Sequence, residues 1–198
     1  MIFKNTTVLD VETTGLNPSS DAIIEVALIR IREGKIIGKL SYLINPEILI
    51  PENITELTGI SNNDVKFCPT IKQIFPWIMS ILGDSLLVAH NALFDLNFFE
   101  VTNQSLRGKS IKNNFIDTRA ICIDMFPYES HKLDIMCKKF GIPVNGAHQA
   151  FNDVSVTWEL LQKLNEKTDI EKYVNKLYYF KKYGKPNWNP EYAEIIGL

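Results

Sequence analysis

Cysteine is scarce in this 198-residue chain, with three residues at Cys68, Cys122 and Cys137. They form no CxxC pair and an odd number cannot all pair. That excludes a disulfide scaffold or a thiolate zinc site as the organising feature, and reduced, buried thiols are expected. No apolar run approaches the ~20 residues of a membrane span, so no membrane partner is expected. The opening MIFKNTTVLD lacks a long apolar stretch and a small-residue cleavage site, and the expectation is a cytoplasmic protein. Internal repeats, low-complexity tracts and credible linkers are also missing. The chain is most simply one domain with room for a substantial core. Its content of 45% apolar and 22% charged residues is that of a globular protein.

The net charge of −2 hides an asymmetry. Residues 1–100 carry 7 Lys+Arg against 12 Asp+Glu, and residues 101–198 carry 14 against 11. Four acids are set aside below as a metal site, which leaves 21 basic against 19 acidic residues. That balance is compatible with a polyanionic ligand.

A strand is expected at residues 6–12. AIIEVALIRIREGKIIGKLSYLINP reads as a β-hairpin about a Glu33-Gly34 turn. The proline-punctuated stretch that follows is expected to be an irregular connection. Thr70 is a plausible N-cap for a helix carrying Ile71, Ile74, Phe75, Ile78 and Leu82 at helical spacing, which Pro76 should kink or split. SLLVAH is a short buried strand running into a helix, NALFDLNFFEV, and NNFID is a strand before the helix TRAICIDMF. HKLDIMCKKFG is a helix that Gly141 can close, and HQAFNDVSVTWELLQKL is a long one. Residues 169–184 read as an amphipathic helix, with Ile170, Tyr173, Val174, Leu177 and Tyr178 on one stripe. The pattern suggests an α/β fold with a mixed sheet.

Several acids look out of place. In VLDVETTGLN, Asp10 and Glu12 lie two apart in a strand and share a face. Like charges held that close repel, and burying them is costly unless something positive compensates. Asp95 sits among Phe94, Phe98 and Phe99. Asp153 sits in a helix beside Val154, Val156 and Trp158, five residues after His148. A cluster of carboxylates is what hard divalent cations such as Mg²⁺ select. Two such ions would supply four positive charges against four carboxylates. Each position alone has a bland reading; their joint occurrence in this order changes it.

These motifs resemble those of the DEDDh 3′–5′ exonucleases, the family of the proofreading subunit of bacterial DNA polymerase III and of ribonuclease T. DVETTGL is similar to the first motif, VAHNALFDLNFF to the second, and HQAFNDV, with its H-x4-D spacing, to the third. The stretch from LINP to LTGIS, the DT at Asp117–Thr118, and HKLDIMCKKFGI are similar as well. The resemblance covers about residues 6–162, with Asn152 as a departure at a position that carries no catalytic role.

The resemblance implies a ribonuclease-H-like fold, a five-stranded mixed sheet flanked by helices, as an exonuclease domain over 1–165. Residues 166–198, which the resemblance does not cover, are read from their own pattern as a C-terminal helix and tail packed on that domain. It implies that Asp10, Glu12, Asp95 and Asp153 hold two divalent cations, Mg²⁺ or Mn²⁺, and that His148 is the general base. Thr13, Thr14, Gly15 and Leu16 would hold the terminal nucleotide, with Asn91 and Phe94 lining the adjacent pocket and Leu57 and Ile60 supporting it. Phe98 and Phe99 are read as core, His90 as shaping a strand end, His131 as capping or packing, and Asp117 as bracing a helix start. The run Lys163, Lys167, Lys172, Lys176, Lys181, Lys182 and Lys185 is read first as a solvated helix face, with a track for an incoming strand as the alternative. The implied activity is a metal-dependent 3′–5′ exonuclease releasing nucleoside 5′-monophosphates. The partner is a single-stranded 3′ end, DNA favoured over RNA, with a DNA polymerase catalytic subunit as a possible second partner. RNA 3′-end processing and a non-catalytic polymerase-associated module are the alternatives.

Overall fold

A computed structural model describes residues 2–144 and 150–198. Strand β1 (Asn5–Thr13) runs up the middle of a five-stranded sheet in the order β3-β2-β1-β4-β5. β2 (Ile23–Arg32) and β3 (Lys35–Leu43) form the expected antiparallel hairpin, and β2 lies antiparallel to β1. Glu33 and Gly34 both take positive φ (49° and 73°), the twist that a two-residue hairpin turn requires. On the other side of β1, β4 (Leu86–Ala89) and β5 (Phe115–Asp117) add parallel strands. The sheet is therefore mixed.

Seven helices accompany these strands among the described residues: α1 (Glu52–Thr58), α2 (Asn62–Val65), α3 (Ile71–Leu82), α4 (Ala92–Arg107), α5 (Thr118–Met125), α6 (Leu133–Lys139) and α7 (Ala150–Asn165). Alternation along β1 divides the core between the two faces of the sheet. Val8 joins Ile29, Val88 and Ile116 under Val154, Trp158 and Leu161 of α7. Leu9 and Val11 join Leu28 and Leu87 under Phe75 and Ile78 of α3 and Leu96, Phe98 and Phe99 of α4. Phe98 and Phe99 are core, as expected. Cys122 and Cys137 are free and buried, while Cys68 is free but only half-buried. Among the described residues, no helix is long and apolar enough to cross a membrane.

Three expectations are corrected. The connection after β3 is not irregular throughout, for it holds α1 and α2. Gly59 closes α1 in the left-handed region (φ 77°), and Ser61 and Asp64 form a capping box at the start of α2. Those cap signals were present in the sequence beneath the prolines. Of the two outcomes expected at Pro76, a kink or a split, the split does not occur, for α3 runs through it. Pro76 and Lys72, whose carbonyl loses its partner, are both exposed, so water satisfies the orphaned group.

The third correction is the C-terminal helix. After α7 the chain makes a 3₁₀ turn at Ile170–Tyr173, then a short strand, β6 (Lys176–Tyr179), pairs parallel with β7 (Glu194–Gly197). Asn175 interrupts any helix by taking φ 59°, a conformation asparagine tolerates. Its backbone N–H donates to the Phe115 carbonyl at 2.8 Å, and its Oδ1 accepts from the Phe115 N–H at 2.9 Å. β5 thereby captures the chain. Ile170 and Tyr173 are buried on one side of the sheet and Leu177 on the other. The apolar spacing was real, but it belongs to a turn and a strand rather than to one helical stripe.

Candidate active site

β1 outlasts its parallel neighbour. Its pairing with β4 covers Thr6 to Val8 alone, whereas its pairing with β2 continues to Thr13. A notch therefore opens beside the C-terminal half of β1, at the point where the sheet changes from antiparallel to parallel. Crevices outside strand ends at such switch points are where ligands bind in open α/β sheets. Asp10 and Glu12 line this notch on the α7 face, two residues apart as the alternation requires. A register shift between Glu12 and Thr13 turns the strand end at the site, a common use of bulges.

Asp153, in the first turn of α7, comes down over the same face. One carboxylate oxygen from each of Asp10, Glu12 and Asp153 lies within 4.8 Å of the other two. Asp153 lies 141 residues after Glu12 in the chain, and the packing of α7 on β1 brings it to the pair on the strand. Asp95 enters from α4 on the opposite face. It is 2% exposed, and its Oδ1 accepts a 3.1 Å hydrogen bond from the Val11 N–H. That donor faces the side where β4 has ended, so Asp95 takes the place of a missing strand. It borders the cluster without joining the three oxygens.

The electrostatics of Asp10, Glu12 and Asp95 are those of buried carboxylates held close together. Burial, then the neighbouring carboxylates of Asp95, Glu12 and Asp153, hold Asp10 well above the usual carboxylate range. Burial also raises Asp95 well above it, against the opposing pull of its backbone hydrogen bonds. Burial and the charges of Asp153 and Glu25 raise Glu12 to about 7. Neither Asp10 nor Glu12 forms an ion pair with a described lysine or arginine. The donors are all oxygens, the chemistry that suits Mg²⁺ or Mn²⁺ rather than a thiolate-seeking ion. The site fits hard divalent cations.

Glu25 is a residue that sequence reasoning missed. It sits directly opposite Glu12 across the β1–β2 ladder and is nearly buried. Like charges opposite each other weaken a sheet, so its presence adds to the negative field of the site. Its signal was an acid inside the apolar run AIIEVALI.

The residues expected to bind substrate differ in exposure. Thr13 and Thr14 are buried and tie the turn after β1. Thr13 Oγ1 donates to the Gly15 carbonyl at 2.6 Å, and Thr14 Oγ1 accepts from the Ala22 N–H at 2.9 Å. A Cβ on Gly15 would lie 2.5 Å from Asp21 Oδ2, so any other residue there must displace the carboxylate that accepts from the Asn17 N–H. Leu16 is 84% exposed, available for contact rather than committed to the core. Leu57 is also exposed, while Ile60 is buried with Ile24, Ile50 and Val65. Asn91 precedes α4 in the left-handed region (φ 76°), and its N–H donates to Asp117 Oδ1 at 2.9 Å. Phe94 is half-buried against Phe98, ring centroids 5.1 Å apart. His148 lies outside the described residues.

Asp117 braces the start of α5, accepting from the Arg119 N–H. His90 is held at both ring nitrogens, Nδ1 to Thr118 Oγ1 at 2.9 Å and Nε2 to the His131 carbonyl at 2.8 Å. Burial lowers its pKa. His131 reaches the Phe126 carbonyl at 2.9 Å and stacks on Phe180. A cleft of about 590 Å³ opens beside Asp153, lined by His90, Asn91, Arg119, His131 and Lys132 among others.

The RNase_T family model, described as exonuclease, matches residues 7–161, nearly the whole α/β unit just described. The chain belongs to this exonuclease family. DNA polymerase III PolC-type of Clostridium perfringens is 37% identical over 168 residues, which are 82% of this chain and 12% of that protein. DNA polymerase III subunit epsilon of Aquifex aeolicus is 32% identical over 160 residues, 80% of this chain and 79% of that one. The chain thus spans about an eighth of the length of the PolC-type relatives. Among solved structures, exonuclease X with 5′-overhanging duplex DNA superposes with TM-score 0.70 at 23% identity, covering 86% of this chain and 98% of that one. Exonuclease I gives TM-score 0.74 at 20% identity, covering 86% and 42%. These likenesses place the fold with the ribonuclease-H-like exonucleases. The family match ends at Leu161, so β6, β7 and the tail between them lie beyond it.

Proposed function

We propose that the chain is a metal-dependent 3′–5′ exonuclease that hydrolyses the terminal phosphodiester bond of a single strand and releases nucleoside 5′-monophosphates, with DNA as its substrate. The observation that carries this reading is the convergence of Asp10, Glu12 and Asp153 within 4.8 Å, with Asp95 beside them, at the end of the central strand of an exonuclease-family fold. In this reading the four carboxylates hold two divalent cations, Mg²⁺ or Mn²⁺. When bound, the ions would acidify a water and offset charge on the scissile phosphate and the departing 3′ oxygen.

The protein's part is positioning and proton transfer. Asp10 and Glu12 are fixed by a strand paired along its β2 side, and Asp153 by a sixteen-residue helix. The carboxylates are therefore preorganised, and their mutual repulsion is what makes the site hungry for cations. His148, two residues before α7, would take the proton of the attacking water on an imidazole nitrogen, whose ordinary pKa suits the task near neutral pH. The Thr13–Leu16 turn would cradle the terminal nucleotide through its backbone. Exposed Leu16 and half-buried Phe94 would meet base faces, which every base offers, so little base preference is expected. Asn91 lines the adjacent cleft, with Leu57 and Ile60 supporting the rim. A role at the 3′ end beside a DNA polymerase catalytic subunit accords with the kinds of relatives matched.

The test is side-by-side digestion of 5′-labelled single-stranded DNA, a mismatched primer–template and single-stranded RNA with Mg²⁺ or Mn²⁺. A ladder shortening from the 3′ end, faster on DNA, is expected. Labelled mononucleotide appearing at once would mean attack from the 5′ end and would overturn the polarity. Faster RNA digestion would reassign the substrate.

A further inference from the structure

The cleft beside Asp153 does not end with the family fold. A second cavity of about 350 Å³ adjoins it, and the two share Asn91 and Arg119 as lining residues. The far wall of the second cavity is made by the C-terminal segment, from Tyr178, Tyr179 and Phe180 of the β6 end to Lys185 and Asn187. Phe180 also stacks on His131 with ring centroids 6.2 Å apart, so a residue beyond the family match buttresses a wall of the first cavity.

Three cations are spaced along this path. Arg119, at the junction, is half-buried, and Lys132 and Lys185 are exposed. None of the ion pairs between described residues uses Arg119 or Lys185. Three acids line the two cavities: Asp153, which belongs to the carboxylate cluster, Asp117, whose Oδ1 accepts two backbone N–H groups, and Asp134. Apart from the cluster, two acids face three cations, and one of the two, Asp117, is held by backbone donors. The structure also sorts the lysine run. Lys163 and Lys176 are paired with Glu166 and Glu194, and Lys181 and Lys185 lie on the segment that follows β6.

We propose that the β6–β7 unit extends the active-site cleft into a seat for the phosphodiester backbone of the substrate strand behind its 3′ end, with Arg119 and Lys185 as phosphate contacts. A groove a strand must follow from the catalytic acids gains most from cations spaced along it, and such contacts carry no base preference. The proposal rests on the exonuclease reading of the acid cluster. It assigns binding of the longer strand in part to Lys185, a residue outside the family match.

The test is fluorescence anisotropy with the full chain in Mg²⁺, using single strands whose 3′ linkages are phosphorothioate. A 12-nucleotide strand, as DNA and as RNA, is compared with a dinucleotide. Lys185→Glu should raise the Kd of the 12-mer about tenfold or more while moving that of the dinucleotide less than about twofold. The slope of log affinity against log salt should fall by about 0.7 for each phosphate that is no longer neutralised. Arg119→Gln should act in the same direction on the 12-mer. Because Lys185 is exposed, its replacement leaves folding intact, which the thermal transition checks. Wild-type affinity and salt slope for the 12-mer in Lys185→Glu would overturn the proposal. So would a loss that is equal for dinucleotide and 12-mer. Cleavage by the wild type is scored separately: a chain that binds the 12-mer through Lys185 yet never cuts it would sink the exonuclease reading and leave the groove standing.

Discussion

Replacing Glu12 with glutamine should stabilise the metal-free protein, and more so as pH rises. The folded state raises the Glu12 carboxyl from its ordinary value of 4.5 to about 7, through burial first and then the charges of Asp153 and Glu25. Between those two values the folded chain keeps a proton that the unfolded chain has lost. Wild-type stability therefore falls as pH rises through this window. At about 1.4 kcal/mol per pKa unit, the displacement corresponds to about 3 kcal/mol at most, and solvent screening of a half-buried side chain reduces it to about 2 kcal/mol. His90 acts in the opposite sense: burial lowers its pKa, so its contribution to stability grows with pH up to its unfolded value near 6.5. That contribution is common to both proteins and cancels in their difference. Urea denaturation in excess chelator, from pH 5 to pH 8, measures the difference directly. Near-equal stability at pH 5 and an advantage of about 2 kcal/mol for Glu12→Gln at pH 8 are expected. A difference that is flat with pH, or a variant less stable at pH 8, would refute the account of Glu12 as a repelled, buried acid. Adding Mn²⁺ should reverse the order, because bound cations favour the ionised cluster and the wild type has the full ligand set.

Excess EDTA should abolish nuclease activity, with Mg²⁺ or Mn²⁺ restoring it, and full turnover in chelator would sink the metal assignment. His148→Ala should lower single-turnover rates by about 10²–10⁴ while keeping Mn²⁺ binding by calorimetry; Asp153→Ala should lose both, and equal loss of ion binding in the two variants would make His148 a ligand or prop. Gly15→Ala should destabilise the turn by about 1–3 kcal/mol in urea, since its Cβ would fall 2.5 Å from the Asp21 carboxylate and one of them must move; stability equal to wild type would mean that the turn is pliable. Leu177→Ala should cost about 2–5 kcal/mol, because Leu177 is 2% exposed within the main core, and a neutral result would mean that β6 is not packed on the sheet.

Much of the site was legible because its signals are local. Asp10 and Glu12 share a face by the two-residue period of a strand, and an acid flanked by phenylalanines at Asp95 is anomalous wherever it folds. The individual strands, the hairpin turn at Glu33-Gly34 and the caps at Thr70 and Gly141 follow from local backbone chemistry in the same way. What distance along the chain conceals needed tertiary structure. The sequence alone could name Asp153 but not show it meeting Asp10 and Glu12, since that depends on how α7 lies on β1. It could not reveal that Asp95 is held apart by the Val11 N–H, because that donor is freed only where β4 stops short of β1. Nor could it identify Glu25, whose opposition to Glu12 is a matter of register. The C-terminal segment shows the limit most clearly. Ile170, Tyr173 and Leu177 recur at a spacing that suits one face of a helix, and local pattern reads them so. Asn175 bonds to β5 and Glu194 bonds back to Asn175, long-range partners that turn the same residues into a strand and close the far wall of the cleft.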